Sequence, residues 1–290
     1  MRSDISFKTT DGLALKGWLY LSGDAIAHRP AIVMAHGFTA VIEQYLDRYV
    51  ELFPKHVFAL LVYDNRNFGT SEDLLRQGRL APHCKFVISG TQSPTSVAST
   101  PSMACGSVSG NVSYSCGHVL QVAASDRRVK CVSSQVPAIN GSVDVRMTVR
   151  QDLMRGLVEA FEANRAARYV GDHPLRMNVV SEDLKSDRVL PGQDCFDDFI
   201  DSHTRVAPKS IELRNEYELA HAIDRISPTP LQIIVAQKDT VTIPDVALKS
   251  YERALQPKYL VPLDSEHCDP YLSQSEASST AAVEWLKRHL

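Results

Sequence analysis

Short apolar segments recur along the chain, and their patterns predict β-strands. Two segments, Ile5–Phe7 and Leu13–Leu21, flank the turn signal Asp11-Gly12 and predict a hairpin. Further segments suit strands buried on both faces of a sheet, because they are almost continuously apolar. These are Pro30–Ala35, Val57–Tyr63 and Leu231–Ala236, and additional strands are predicted at Arg128–Val136 and Lys258–Val261.

Helical periodicity lies between these strands. Apolar residues spaced three and four apart predict helices at Tyr45–Phe53, Tyr114–Ala124, Pro244–Leu255 and Ala277–Leu290. Strands that alternate with helices at this spacing pair in parallel through right-handed crossovers. We therefore predict an α/β fold over residues 1–290, with a mostly parallel central sheet and helices on both faces.

The stretch at about residues 139–226 is polar and helix-prone, with an amphipathic piece at Val145–Ala167. It is too long to be a plain connection between two strands of one sheet. We expect it to form a helical cap insertion over the carboxyl edge of the sheet, within a single domain.

One segment, residues 86–112, departs from these patterns. It is rich in serine, and no Asp, Glu, Lys or Arg occurs from Phe86 to Ser125. The flanking strands nevertheless require a crossover helix and a central strand here, so local preference and global fold disagree. Two interpretations remain open: an irregular loop, or a translation that runs out of frame before Ser113.

Composition and charge exclude several functional classes. The net charge of -3 provides no basic surface for nucleic acid. The longest apolar runs are far shorter than a bilayer span, and Met1–Asp4 does not begin a secretory signal, so we expect a cytoplasmic protein without membrane association. The six cysteines form no Cys-x-x-Cys pair, and we predict neither a disulfide framework nor a metal or other cofactor.

Three polar residues follow predicted strands in an informative order. Ser113 lies where a sharp strand-to-helix turn is expected, Asp239 follows Leu231–Ala236, and His267 follows the last strand. Each alone has an ordinary interpretation as a loop serine, a helix-capping aspartate or a structural histidine. Together, the order Ser, Asp, His is that of the α/β-hydrolase triad, with Ser113 as nucleophile.

The turn at Ser113 needs small residues two positions before and two positions after the nucleophile. Asn111 and Ser115 occupy these positions. Asparagine is the non-glycine residue that most readily adopts unusual backbone angles. Cys116 is an alternative nucleophile, but it lies almost one helical turn further on and is expected to face elsewhere.

An acyl-transfer site also needs two backbone N–H donors for the oxyanion. The loop after Pro30–Ala35 and the residue after the nucleophile supply them in this fold, which indicates Phe38 and Tyr114. His36 could be a second base in the same loop, but we favour a structural role that shapes it.

Several of these motifs resemble the fungal polyketide transferase family of α/β hydrolases. In the family the elbow is Gly-x-Ser-Tyr-Ser-Gly-Gly, whereas Asn111 and Cys116 replace two of those glycines here. The resemblance covers nearly the whole chain except about residues 79–112. It is carried by Ala35–Ala40, Tyr63–Gly69, Ser113–Leu120, Asp126–Pro137 and His267–Tyr271.

The resemblance implies a triad of Ser113, Asp239 and His267 that acts through an acyl-serine. It also implies a polyketide acyl substrate, presented as an ester or as a carrier-protein thioester, in secondary-metabolite biosynthesis. Hydrolysis and transfer to another acceptor both remain open. Two further alternatives are a non-catalytic homologue and a general carboxylesterase or peptidase of the same fold.

Overall fold

The computed structural model describes residues 2–9, 12–21, 30–44, 46, 53, 58–66, 68–71, 108–172, 177–178, 205–206 and 208–290. Eight strands in these ranges form one twisted sheet around which the molecule is built. They are β1 (Arg2–Lys8), β2 (Ala14–Tyr20), β3 (Ala31–Ala35), β4 (Ala59–Tyr63), β5 (Val108–Val112), β6 (Val132–Gln135), β9 (Leu231–Ala236) and β10 (Lys258–Leu263). A two-stranded ribbon, β7 (Met177–Asn178) with β8 (Arg205–Val206), lies apart from the main sheet.

The strand order in the main sheet is β1-β2-β4-β3-β5-β6-β9-β10. The pairs β1/β2 and β2/β4 are antiparallel, whereas the six strands from β4 to β10 are all parallel. The prediction of a mostly parallel sheet is confirmed. Because parallel strands end on one side, the loops after β3, β5, β6, β9 and β10 all emerge at the carboxyl edge.

Helices cover both faces of the sheet and bury its apolar side chains. In β9, Ile233 and Val235 pack into the core on one face, while Ile234 packs into the core on the other. This explains why the segment is apolar throughout. The helices are α1 (Tyr114–Ser125), α2 (Gly141–Thr148), α3 (Met154–Tyr169), α4 (Pro208–Asn215), α5 (Pro244–Arg253) and α6 (Ser275–His289), with 3-10 turns at Ala220–Ile226 and Asp269–Tyr271.

The end of the serine-rich segment is a strand. Residues 86–107 lie outside the described residues, but β5 pairs in parallel with β3 at Val33 and with β6 along most of its length. The last five residues of the segment, Val108–Val112, therefore form the central strand that the flanking strands require, rather than an irregular loop. Both neighbouring strands offer hydrogen-bonding partners, and this outweighs the weak strand preference of the sequence VSGNV. The pairing of β5 with β6 is nevertheless irregular, because its register shifts between Ser109 and Asn111.

Two other predictions need correction, and a third cannot be compared with the structure. The strand predicted at Arg128–Val136 covers only Val132–Gln135, because Asp126 turns the chain by binding the backbone N–H and guanidinium of Arg128. The amphipathic piece Val145–Ala167 is divided between α2 and α3. The helix predicted at Tyr45–Phe53 falls outside the described residues except for its buried members Leu46 and Phe53.

The predicted cap begins and ends side by side. Asn140 and Glu218 form an isolated antiparallel bridge. The Gly141 N–H donates to the Tyr217 carbonyl at 2.8 Å, and the Leu219 N–H donates to the Ile139 carbonyl at 2.9 Å. The chain therefore leaves the sheet layer after β6 and returns to the same point before β9. Helices α2, α3 and α4 lie within this excursion.

None of the helices in the described parts of the chain combines the length and the hydropathy that crossing a membrane would require.

Candidate active site

Backbone strain is concentrated at the carboxyl edge of the sheet. Among the described non-glycine residues, three have positive φ angles: Thr39 (68°), Ser113 (55°) and Val136 (42°). Each comes shortly after one of the adjacent strands β3, β5 and β6. Such angles cost roughly 1–3 kcal/mol each and cluster at functional sites, where the surrounding structure enforces them.

The turn at Ser113 joins β5 directly to α1. With φ 55° and ψ -107°, Ser113 has neither strand nor helix geometry, which is the conformation of a nucleophile elbow. Its carbonyl accepts the N–H groups of Cys116 and Ala138, both at 3.1 Å. Its own N–H donates to the Gln135 carbonyl at 3.4 Å. The elbow is thus tied to β6 and to the loop that follows it.

Asp239 and His267 form a buried pair. The Nδ1 atom of His267 lies 2.7 Å from Oδ2 of Asp239, and both side chains are about 95% buried. The other carboxylate oxygen, Oδ1, accepts the N–H groups of Val241 at 2.7 Å and Thr242 at 2.8 Å. The Thr242 hydroxyl donates to Oδ2 at 2.7 Å, so the carboxylate is held in one orientation.

These contacts keep the carboxyl group of Asp239 ionised. Burial alone would raise the pKa of its carboxyl group, but the neighbouring His267 and the hydrogen bonds from His267 and Thr242 outweigh that effect. The pKa is held below its usual value. An ionised Asp239 accepts a hydrogen bond from Nδ1–H of His267, and this leaves Nε2 of the neutral ring as the basic nitrogen.

Side-chain contacts connect the loop of Ser113 with the loop of His267. Gln135 accepts the Ser113 N–H through its carbonyl and donates its side-chain amide to the Pro270 carbonyl at 3.4 Å. The Thr242 hydroxyl lies 3.2 Å from the carbonyl of Val136, which joins the Asp239 loop to the end of β6. The structure therefore brings the loops of all three predicted triad residues to one edge of the sheet.

The two predicted oxyanion donors belong to residues in direct contact. The rings of Phe38 and Tyr114 pack edge to face, with centroids 5.4 Å apart. Phe38 lies in the buried turn after β3, and Tyr114 is the first residue of α1. This contact fixes the loop after β3 relative to the elbow.

His36 holds that loop in place. Its Nδ1 lies 2.9 Å from the Gly37 carbonyl, and its Nε2 accepts the N–H of Asn65 at 2.9 Å. Its carbonyl accepts a short hydrogen bond from the hydroxyl of Ser115. Burial lowers the pKa of His36 to about 4, so the ring is neutral at pH 7. Since both nitrogens are used structurally, this geometry supports the structural interpretation over a second base.

Cys116 faces away from the edge. Its side chain is completely buried, and its thiol donates to the Gln135 carbonyl while accepting the N–H of the same residue. Burial raises the pKa of the thiol to about 12. Burial thus disfavours the reactive thiolate at neutral pH, and the structure supports Ser113 over Cys116 as the nucleophile.

Two charged residues lie near the site although nothing in the sequence around them predicts it. Asp144 on α2 and Arg214 on α4 are both almost completely buried. The Arg214 guanidinium donates to the Val241 carbonyl at 3.1 Å and lies 5.5 Å from the centroid of the Phe38 ring. Their positions depend on how the excursion folds back onto the sheet, which a single sequence does not reveal.

No group of His, Cys, Asp and Glu side chains in the described ranges is arranged to hold a metal ion.

Comparison with known proteins agrees with this geometry. No protein-family model matches the chain. The chain is 29% identical over 270 residues to thiohydrolase aneE of Aspergillus aculeatus, covering 88% of this chain and 83% of that protein. It is 25% identical over 302 residues to polyketide transferase grgF of a Penicillium species, covering 100% and 97%. The crystal structure of the α/β hydrolase GrgF from Penicillium superposes with a TM-score of 0.81 at 22% identity, covering 100% and 99%.

The chain is similar over most of its length to fungal proteins named thiohydrolase and polyketide transferase, and it has the α/β-hydrolase fold. The resemblance inferred from its motifs and the predicted fold class are thus confirmed. In this fold Ser113, Asp239 and His267 follow β5, β9 and β10. The departures at Asn111 and Cys116 are accommodated: Asn111 lies in β5 opposite Ser134, and the Cys116 thiol occupies its own hydrogen-bonded site.

Proposed function

We propose that the protein is a serine acyl hydrolase or acyltransferase that accepts a polyketide acyl group from a thioester. The observation that supports the proposal is a buried His267–Asp239 pair and a strained Ser113 on loops at the same edge of the sheet. The names of the relatives, thiohydrolase and polyketide transferase, supply the substrate class.

The first half of the reaction acylates the enzyme. The Ser113 hydroxyl attacks the thioester carbonyl while Nε2 of His267 takes its proton. Asp239 stabilises the imidazolium that forms and keeps Nδ1 protonated. The backbone N–H groups of Phe38 and Tyr114 bind the oxyanion of the tetrahedral intermediate. Its collapse breaks the carbon–sulfur bond, and His267 returns the proton to the departing thiolate.

The second half depends on which nucleophile reaches the acyl-serine. His267 removes a proton from water or from an alcohol or amine acceptor as that nucleophile bonds to the acyl carbon. The bond between the acyl carbon and Oγ of Ser113 then breaks, and His267 returns the proton to Oγ. The excursion containing α2, α3 and α4 begins at the carboxyl edge, and we propose that it acts as a cap. A cap that excludes water favours transfer over hydrolysis.

Synthetic N-acetylcysteamine thioesters of short polyketide-like acids test this function. We expect thiol release by the wild type, with an initial burst when deacylation is slow. Ser113→Ala should release no thiol above background. Ser125→Ala is the matched control because it removes an exposed hydroxyl at the end of α1, the helix that follows Ser113. Added amines or alcohols that divert product from the acid would identify a transferase.

A folded wild type that releases thiol no faster than Ser113→Ala would contradict the proposal and leave a non-catalytic homologue. Turnover of simple carboxylate esters or peptides without any turnover of thioesters would instead favour the general esterase or peptidase.

A further inference from the structure

Asp144 is a buried carboxylate that the proposed mechanism does not use. It lies on α2, the first helix of the excursion, and is 1% exposed. Its Oδ1 accepts the backbone N–H of Ile243 at 3.1 Å. Its Oδ2 is buried and makes no hydrogen bond with any residue in the described ranges. Burying a carboxylate oxygen without a hydrogen bond costs free energy, so we expect nearby charges to stabilise it.

The hydrogen bond from Ile243 places Asp144 in the same structural unit as Asp239. Shortly after Asp239, three consecutive residues, 241–243, each donate a backbone N–H group to one of the two carboxylates. The first two, from Val241 and Thr242, bind Oδ1 of Asp239, and the third, from Ile243, binds Asp144. Asp144 therefore anchors the far end of the short segment that orients the Asp239 carboxylate. Ile243 is also the residue that precedes α5, so this anchor fixes the start of that helix.

Charged groups on three elements act electrostatically on Asp144: Arg214 of α4, Asp239 after β9 and His267 after β10. Burial raises the pKa of Asp144 to about 6, Arg214 and His267 act to lower it, and Asp239 acts to raise it. Arg214 forms no ion pair within 4 Å in the described ranges and binds the Val241 carbonyl instead. Asp144 thus interacts through space with both the arginine and the His267–Asp239 pair.

We propose that Asp144 is a positioning residue that fixes the Asp239 segment from the excursion and whose negative charge favours the protonated form of His267. This inference rests on the proposed function, because the imidazolium forms during acylation and deacylation. Arg214 balances the charge of Asp144, so that the two carboxylates and the histidine are not left with an uncompensated negative charge. The excursion would then affect catalysis electrostatically as well as by covering the site.

Asp144→Asn separates the electrostatic role of Asp144 from its role in positioning the Asp239 segment. The asparagine keeps an oxygen that can accept the Ile243 N–H but removes the charge. We expect the acidic limb of the kcat/KM profile to move to lower pH by roughly half a unit or more, because a nearby anion no longer stabilises the imidazolium. Asp144→Ala removes the anchor as well and should also lower kcat. Asp152→Asn is the control, since Asp152 is an exposed carboxylate in the same excursion.

Direct titration of His267 by NMR provides a readout that needs no turnover, with its signal assigned from a His267→Gln sample. We expect the same downward displacement of the His267 midpoint in Asp144→Asn and none in Asp152→Asn. If Asp144→Asn does not fold, Asp144→Ser removes the charge while keeping a side-chain oxygen.

Identical His267 midpoints in the wild type and in the folded charge-free variant would overturn the inference, whether or not the enzyme turns over thioesters. A displaced midpoint in a protein without any acyl turnover would support the electrostatic role of Asp144 and count against the proposed function. The two failures are therefore distinguishable.

Discussion

The Sγ atom of Cys116 lies 2.8 Å from the carbonyl oxygen of Gln135 and 3.1 Å from its backbone nitrogen. The thiol, three residues after Ser113, is thus bound to β6 on the buried side of α1. In this protein, serine chemistry and thiol chemistry can be separated experimentally.

We predict that Cys116 does not react with iodoacetamide at pH 8 in the folded protein. Burial raises the pKa of its thiol to about 12, and the side chain is inaccessible. Peptide mass spectrometry should show alkylation at Cys116 only after denaturation. Rapid alkylation of native Cys116 with parallel loss of turnover would contradict the assignment of Ser113.

We predict that replacing Asp239 with Asn lowers kcat by roughly 10³–10⁴-fold, because the amide no longer enforces the Nδ1–H tautomer of His267. Steady-state kinetics on a thioester provide the measurement, and circular dichroism checks the fold. Asp245→Asn is the matched control, since Asp245 is exposed on α5 a few residues further on. Equal losses in the two variants would show that Asp239 has no special role.

We predict that His36 makes the fold sensitive to acid. Its folded pKa is about 4, below the ordinary 6.5 of the unfolded chain, so the unfolded state binds the proton first. The stability that it contributes is fully present above pH 6.5 and is lost as the pH falls towards 4, by roughly 3 kcal/mol.

Denaturant unfolding at several pH values between 7 and 4 tests this effect. The free energy of unfolding should fall less in His36→Gln than in the wild type over this range. His221→Gln is the control, because it removes an exposed imidazole. The prediction is wrong if wild type and His36→Gln have parallel pH dependences.

We predict that Gly117→Ala destabilises the protein by about 2 kcal/mol or more. A Cβ atom at Gly117 would lie 2.2 Å from the Ala138 carbonyl oxygen and 2.8 Å from the Tyr217 hydroxyl. Backbone would have to move, and α1 would lift away from the loop after β6. Thermal unfolding measures the loss.

Gly156→Ala provides the opposite case. Gly156 lies exposed within α3, and a Cβ atom there meets nothing within 4 Å. Alanine should stabilise the helix by roughly 0.5–1 kcal/mol. Similar effects at the two glycines would contradict the contacts described for Gly117.

Much of the fold could be predicted because the strands carry a strong local signal. Leu231–Ala236 is a strand with the bounds predicted from its uninterrupted apolar run. The placement of the three predicted triad residues at one edge also follows from the chain, because each comes within a few residues of the end of a strand and parallel strands share one carboxyl edge. Local pattern and topology agree at these positions.

Other features depend on contacts between distant parts of the chain. Val108–Val112 is a strand because β3 and β6 lie on either side of it, although its own sequence favours a loop. Asp144 meets Ile243 across 99 residues, and Arg214 meets Val241 across 27. No periodicity or motif marks either contact, so neither could be predicted from the sequence.

Labelling of the wild type with a fluorophosphonate, followed by peptide mass spectrometry, examines the nucleophile itself. We expect one covalent adduct on Ser113 in the folded protein, with none in Ser113→Ala and an undiminished one in Ser125→Ala. A folded wild type that takes up no probe, or an equal adduct in Ser113→Ala, would show that Ser113 is not an activated nucleophile.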